Sequence, residues 1–374
     1  MINKVVYLVK SELHIYPPCL AQIRIMKKLG VDIEVWYGSC NKKTVDLLLS
    51  ENIICKNLEE KRGMFSGKLD TLNNWFNFGR TVKKYINSCN KSNTLFWFGS
   101  TETAIPLLGK LKNVQYALTS LELLDDNPIK KNLFGILSKR ARFIICCEIT
   151  RAFIMRYWYK LERVPYVMPN KPYGFYMEKR RKPSIEETAK VINIIKDKKF
   201  IIYQGILKSK DYMMEMAKAI KTSNTGYYFV LMGFDPENIY PEIKSKYEKT
   251  IFISNIPSPY HLEITSYAHI GFVFYDDRNT LNRAFCAPNK IYEYSGLGIP
   301  AIGNKVPGLI NTINAFKTGV CVEIKEENLV KAIEEIENNY LIYVENSLKF
   351  YKETDNVSLM KKILTENKIL WRND

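Results

Sequence analysis

Histidine is scarce in this chain: 374 residues hold three, His14, His261 and His269, none at metal-ligand spacing, which argues against a zinc site. Eight cysteines are present but no C-x-x-C pair, and Cys146 and Cys147 adjoin within the apolar stretch RFIICCE. Disulfide frameworks and metal sites space their cysteines differently, so buried free thiols are the expected state. No segment approaches the roughly 18 uninterrupted apolar residues of a membrane span. The first residues, MINKVVYLVKSELH, lack a charged region followed by a long apolar one and a small-residue cleavage site. They read as a first strand, and the expectation is a cytoplasmic protein. Short internal repeats and low-complexity segments are missing too.

What the chain has in excess is positive charge, a formal +16 at pH 7. A basic surface attracts nucleic acid, anionic lipid or phosphorylated substrates. The chain is also rich in Lys, Asn, Ile and Tyr throughout, as coding bias alone produces. Hydrophobic content of 46% and charged content of 25% are those of a globular protein. The length exceeds one ordinary core, so two domains are expected.

Apolar strand-like runs alternate with helix-period segments. KVVYLVK, VDIEVWY, NTLFWFG, VQYALTS and RFIICCE read as strands, with PCLAQIRIMKKLG, LDTLNNWFNFGRTVKKYINS and IKKNLFGILSKR as helices between them. Such alternation predicts a parallel sheet covered on both faces. The stretch VPYVMPNKPYGFYMEKRRKPS breaks the pattern with four prolines, a glycine and a basic run. A second alternation follows: KFIIYQGIL, a helix over Tyr212–Lys221, YYFVLMG, TIFISNI, HIGFVFYDD, IPAIG and GVCVEI. The expected organisation is a first domain over 1–168, a linker over 169–198, a second domain over 199–340 and C-terminal helices over 341–374. The tail residues Leu348, Tyr351, Leu359, Ile363 and Leu370 suggest packing back on the first domain. Ligands of open parallel sheets bind beyond the carboxyl ends of the strands.

The stretch CAPNKIYEYSGLGIPAIG, Cys286 to Gly303, carries the clearest chemistry. Pro288 suits a first helical turn, where its missing N–H costs nothing. Asn289, Lys290 and Ile291 then offer backbone N–H groups at the positive end of the helix, a ready anion site to which Lys290 adds a full charge. Glu293 follows Asn289 by four residues and shares its face. Gly296, Gly298 and Pro300 end the helix. A phosphate at the helix start and a pair of ribose hydroxyls one turn down fit this pattern. The plain alternative is a surface helix whose Lys290 and Glu293 pair with each other for about 0.2–0.5 kcal/mol.

With its neighbours, this stretch resembles the nucleotide-sugar motif of two-domain (GT-B fold) glycosyltransferases of group 1, family-4-like. YQGILKSK resembles the strand and loop that open the donor domain, YFVLMG its next strand, and ISNIPSPYHLEITSYAHIGFVFY the base-binding loop, helix and strand. EITRAFIMRYWYKLERVPYVMPNKP resembles the end of the acceptor domain. The likeness covers about 140–320. It implies two doubly wound, Rossmann-like α/β domains facing a central cleft. It also implies that Glu293 holds the ribose, and that Pro288, Asn289 and Lys290 lie near the diphosphate. By the same resemblance Gly205, Lys208 and Lys210 line the other side of the phosphates. Asn255 and Ile256 border the base, Gly233 leaves room beside it, and Asn282 approaches the sugar.

The sequence departs from the family in places. Phe285 stands where many members have a second glutamate and Asp211 where many have an arginine, while the first loop, SELHIYPPCLAQIRI, lacks the usual paired glycines. For acid–base or sugar-stabilising work the strand-end residues Glu122, His14 and Glu12 are candidates, each with a solvated or capping role as the plainer reading. Asp276 and Asp277 adjoin and do not form the D-x-D of metal-dependent transferases. Metal-independent chemistry is expected, with lysines and helix N–H groups neutralising the leaving diphosphate. Leu133, Phe134, Ile136 and Leu137, flanked by Lys130, Lys131, Lys139 and Arg140, make an apolar face with a basic border. It suits either an anionic bilayer or a core with a wet basic back.

The expectation is a cytoplasmic glycosyltransferase, peripheral on the inner face of the cell membrane. It would use a nucleoside-diphosphate sugar and a glycan or lipid-linked acceptor, with retention of configuration, and bind no nucleic acid and no further cofactor. A nucleotide-sugar epimerase of the same fold and a non-catalytic partner of a transferase complex are the alternatives.

Overall fold

The structure is a computed structural model that describes residues 1–58, 68–175, 177–276 and 280–372. The chain divides into two compact units, Met1–Gly174 with Asp355–Asp374, and Phe175–Thr354.

The first unit is built on strands β1 (Lys4–Glu12), β2 (Asp32–Ser39), β3 (Ile54–Asn57), β4 (Thr94–Phe98), β5 (Tyr116–Ser120), β6 (Ile144–Cys146) and β7 (Tyr166–Val167). Its helices are α1 (Pro17–Lys28), α2 (Lys42–Ser50), α3 (Lys68–Ser88), α4 (Thr101–Ala104), α5 (Pro128–Ser138) and α6 (Ile149–Tyr159). All neighbouring strands run parallel, in the order β3-β2-β1-β4-β5-β6-β7. Alternate residues of β1 feed two separate cores, as a period of two requires. Val5, Tyr7 and Val9 point to one face, Val6 and Leu8 to the other.

The second unit holds β8 (Phe200–Gln204), β9 (Tyr228–Gly233), β10 (Thr250–Ser254), β11 (Ile270–Val273), β12 (Ala301–Asn304) and β13 (Gly319–Val322). Its helices are α7 (Glu186–Ile195), α8 (Lys210–Thr222), α9 (Tyr240–Lys246), α10 (His261–Thr265), α11 (Leu281–Ala284), α12 (Asn289–Gly296), α13 (Pro307–Leu309), α14 (Glu326–Asn338) and α15 (Tyr340–Glu353). This sheet is also parallel, ordered β10-β9-β8-β11-β12-β13. Strand order reverses between β8 and β11, so a crevice opens beyond their carboxyl ends. The last helix, α16 (Asn356–Glu366), belongs to the first unit, where Met360, Ile363 and Leu364 join the core against α1.

Both sheets match the strand runs read from the sequence; β3 and β7 are additions. The stretch 169–198 divides between the units and is not bare linker. Its α7 buries Ile192 and Ile195 against the second core, and Thr188 and Ser184 hydrogen-bond the buried Glu263 carboxylate. The tail divides as well: Phe350 and Tyr351 of α15 pack in the second unit, whereas Leu348 and Leu370 are exposed. On α5, Phe134 and Leu137 face the core and Leu133 is half-buried, so of the expected apolar face only Ile136 is open to solvent. The eight cysteines are free, and five of them are buried.

Candidate functional site

Gln204 closes β8 and is buried, a polar end to an apolar strand. The chain then turns at Gly205 with φ +133°, a left-handed conformation that glycine adopts without strain. Gly205 donates its N–H to Met232 O at 2.8 Å, which draws the turn against the end of β9. There Gly233, with φ +144°, has no room for a side chain: a Cβ would sit 1.8 Å from Gly205 O. Gly233 therefore admits neighbouring backbone and is not simply open space for a ligand.

The α12 segment meets this turn. Pro288 is the N-cap, one residue earlier than a first-turn proline, and the helix starts at Asn289. The first N–H groups of a helix lack intrahelical partners and carry its positive dipole end. Lys290 is half-buried as a residue and extends its ammonium to the β8 end, 5.0 Å from the Tyr203 ring centroid. A Cβ on Gly205 would lie 3.0 Å from Lys290 Nζ. Burial of the ammonium pulls its pKa down to about 8, against an upward pull from Glu293.

Glu293 is 7% exposed. The flanking tyrosines are core: Tyr294 is fully buried beneath Gly271, and Tyr292 stacks on Phe350 at 5.5 Å. The carboxylate itself is held by polar groups. Oε2 accepts from Gln204 Nε2, Gln204 Oε1 in turn accepts from Thr265 Oγ1 at 2.8 Å, and His261 Nε2 lies 3.5 Å from Oε1. A buried carboxylate is tolerated only when partnered in this way. The surface-helix alternative fails here, because the Lys290 ammonium extends over the Tyr203 ring while Glu293 is taken by Gln204.

A cavity of about 480 Å³ opens beyond β9 and β10, lined by Gly233, Phe234, Asp235, Tyr240, Phe252 and Asn255 among others. Its size and mixed lining suit a small organic ring system. Ile256 lies beside Asn255, half-buried against the second core. On the far side of β8, Asn304 clamps the chain after β11: Tyr275 N donates to its Oδ1 at 3.0 Å and its Nδ2 donates to Tyr275 O at 2.7 Å. Gly308 permits α13 to touch the loop before α12, since a Cβ there would lie 2.3 Å from Cys286 O. Asn282 lies on the short α11 and is half-buried; Asp276 follows β11, and Asp277 lies outside the described residues.

The structure thus brings together Gly205, Gly233, Lys290 and Glu293, with Asn255 at the adjoining cavity. It does not gather the loop lysines in the same way. Lys208 is exposed, and Lys210 pairs with Glu242 at 3.0 Å, an exposed ion pair. Gln204, Thr265, Asn304 and Gly308 were not singled out in the sequence, and His261 was named only for lacking metal-ligand spacing. A polar residue closing an apolar strand is the only local signal for Gln204; the others need the fold.

In the first unit, His14 lies in the turn after β1, where its Nδ1 accepts from Asn41 N at 3.3 Å and its Nε2 is 3.9 Å from Glu12 Oε2. Glu122 is exposed two residues beyond β5. Burial raises the Tyr16 phenol pKa, and the charges of Glu102 and Glu122 add to the shift. Among the described residues no cluster of His, Cys, Asp and Glu is arranged to hold a metal ion.

No family model and no curated protein matches this sequence. Solved structures do. A glycosyltransferase from Rickettsia africae ESF-5 aligns at 14% identity and a TM-score of 0.69, over 98% of each chain. Anabaena Alr3699/HepE, in complex with UDP and glucose, aligns at 12% identity and a TM-score of 0.69, over 99% of this chain and 100% of that one. A putative UDP-N-acetylglucosamine 2-epimerase from Listeria monocytogenes aligns at 12% identity and a TM-score of 0.68, over 98% and 96%. Likeness at such low identity speaks for architecture: with its two parallel Rossmann-like sheets, this chain has the GT-B fold.

Proposed function

We propose that the protein is a glycosyltransferase that moves a sugar from a nucleoside diphosphate to a glycan or lipid-linked acceptor in cell-surface polysaccharide synthesis. The observation that carries the reading is the buried, polar-held Glu293 one turn below Lys290 at the start of α12, beside the switch point of the second sheet. Glu293 accepts the two ribose hydroxyls, Lys290 and the first N–H groups of α12 hold the diphosphate, and the base lies in the cavity past Gly233 and Asn255. As the bond to the sugar breaks, charge grows on the diphosphate, where Lys290 and the helix dipole stabilise it. His14 and Glu122 are the candidates for the proton and sugar-stabilising roles on the acceptor side. Retention of configuration and a cytoplasmic position at the membrane surface belong to the same reading.

Support comes from HepE, a structural neighbour seen with UDP-glucose. The Listeria neighbour favours a second reading, epimerisation of the nucleotide sugar without an acceptor.

Glu293→Gln tests the site, because it keeps size but removes charge. Each charge-assisted bond is worth about 1.5–3 kcal/mol. Nucleoside diphosphate should bind the variant at least about tenfold more weakly by calorimetry. A 2′-deoxy nucleotide should bind wild type poorly and lose far less on substitution. Unchanged affinity would remove the donor-site assignment. Incubating donors with enzyme alone separates the two activities: an epimerised nucleotide sugar without acceptor sinks transfer.

A further inference from the structure

Helices α5 and α6 follow successive parallel strands of the first sheet, so right-handed crossovers place them side by side on one of its faces. They touch through Phe134 and Tyr159, at 5.8 Å, and through the Lys131 ammonium over the Trp158 ring, at 4.7 Å. Their inner sides bury Phe134, Leu137, Ala152 and Met155. Their outer sides keep large apolar groups in water: Ile129 and Ile136 on α5, and Ile149, Phe153 and Tyr157 on α6, are each at least half exposed. Phe153 and Tyr157 are four apart, with Ile149 one turn before, so they form a single stripe.

The charge around this stripe is mainly positive, with Asp125 and Asp126 before α5 and Glu162 after Lys160 as the nearby acids in sequence. From Pro128 to Leu161 there are eight basic residues and one acid, Glu148. Glu148 is itself buried, capping α6 by accepting from Arg151 N at 2.9 Å. Lys139, Arg140, Arg156 and Lys160 are exposed. Lys130 is taken by Glu102, and Lys131 by Trp158, so these two are not the outward charges that the sequence suggests.

We propose that the outer face of α5 and α6 docks on an anionic lipid bilayer, with Ile149, Phe153 and Tyr157 entering the headgroup region and the four exposed cations meeting lipid phosphates. Apolar side chains within a largely cationic field fit an anionic amphiphile surface. A second copy of the chain would set cation against cation, which disfavours self-association through this face. The proposal rests on and deepens the membrane-surface position proposed above; it does not depend on the reaction catalysed, since vesicle flotation is read without donor or acceptor.

The test is flotation of the full chain with vesicles of phosphatidylcholine, with and without phosphatidylglycerol. Wild type should float with the anionic vesicles, at least about tenfold more tightly than with neutral ones, and release at high salt. Two variants are needed: Phe153→Ser with Tyr157→Ser, and Lys139→Gln, Arg140→Gln, Arg156→Gln with Lys160→Gln. Each should lose at least about tenfold in vesicle affinity while its melting temperature stays near wild type, because every altered side chain is exposed. No flotation, equal binding to neutral vesicles, or unchanged binding by both variants overturns the proposal. So does a wild-type dimer that Phe153→Ser with Tyr157→Ser splits, which would assign the face to a second copy.

Discussion

Lys290 and Glu293 lie about one turn apart on α12, yet their environments oppose each other. The Glu293 carboxylate accepts a hydrogen bond from Gln204, whereas burial brings the Lys290 ammonium pKa down to about 8. The lysine in the unfolded chain titrates near its ordinary 10.5. Between about pH 8 and 10.5 the unfolded state therefore binds more protons, and this group's contribution to stability rises with pH. Ligand binding runs the opposite way, because a diphosphate needs the charged lysine. Affinity for a nucleoside diphosphate should be flat below about pH 7 and weaken by up to about tenfold per unit above about pH 8. Lys290→Gln should bind weakly at neutral pH and show no such fall. Calorimetry over pH 6.5–9.5, in buffers of different ionisation heat, measures both the affinity and the proton taken up. A wild-type profile as flat as the variant's would free Lys290 from the phosphate role.

At the scale of elements, the site depends on how closely the ends of β8 and β9 approach. The Gly205 turn and Gly233 are in backbone contact, and neither has ordinary φ. Lys290 then reaches the gap from α12, where Tyr292 and Tyr294 on either side of Glu293 are buried. Gly233→Ala would place a methyl group against Gly205 O and strain the backbone as well, and nothing at that contact is a flexible side chain. The cost should reach at least about 3 kcal/mol, from strain and overpacking together. Chemical denaturation measures it, and nucleoside diphosphate binding should fall with it. An alanine variant of wild-type stability would show that the two turns do not lock each other.

Over the whole molecule, the elements assigned to donor binding all belong to the unit Phe175–Thr354. A ligand that binds only the native state at about 100 times its dissociation constant adds roughly 2.7 kcal/mol of stability. For a unit of this size that is a melting shift of about 5–10 °C. A screen of nucleoside diphosphates and nucleotide sugars should find such a shift for one base above the rest. Equal, negligible shifts for all of them would argue against a nucleotide site.

The sequence by itself determined the fold class, because strand and helix periods are local: FIIY, YFVLMG and IGFV are continuous apolar runs of the kind that a sheet covered on both faces accommodates. It also marked the candidate site around Pro288, Lys290 and Glu293, where proline, glycine and a helix start act within one short stretch. Shorter pieces escaped it. β7 has two residues, too few for any period to show, and α7 follows directly on a proline-rich, basic stretch and was read as part of the same linker. Only the tertiary structure decided what partners Glu293, because Gln204 lies 89 positions away along the chain and reaches it by strand order alone. The same holds for Gly233, whose need for glycine comes from the carbonyl of a neighbouring strand's turn, and for α5, whose period marks an apolar face without saying which residues the sheet covers. Periodicity tells a helix that it has a side to bury; the neighbour that buries it is chosen only when distant segments pack.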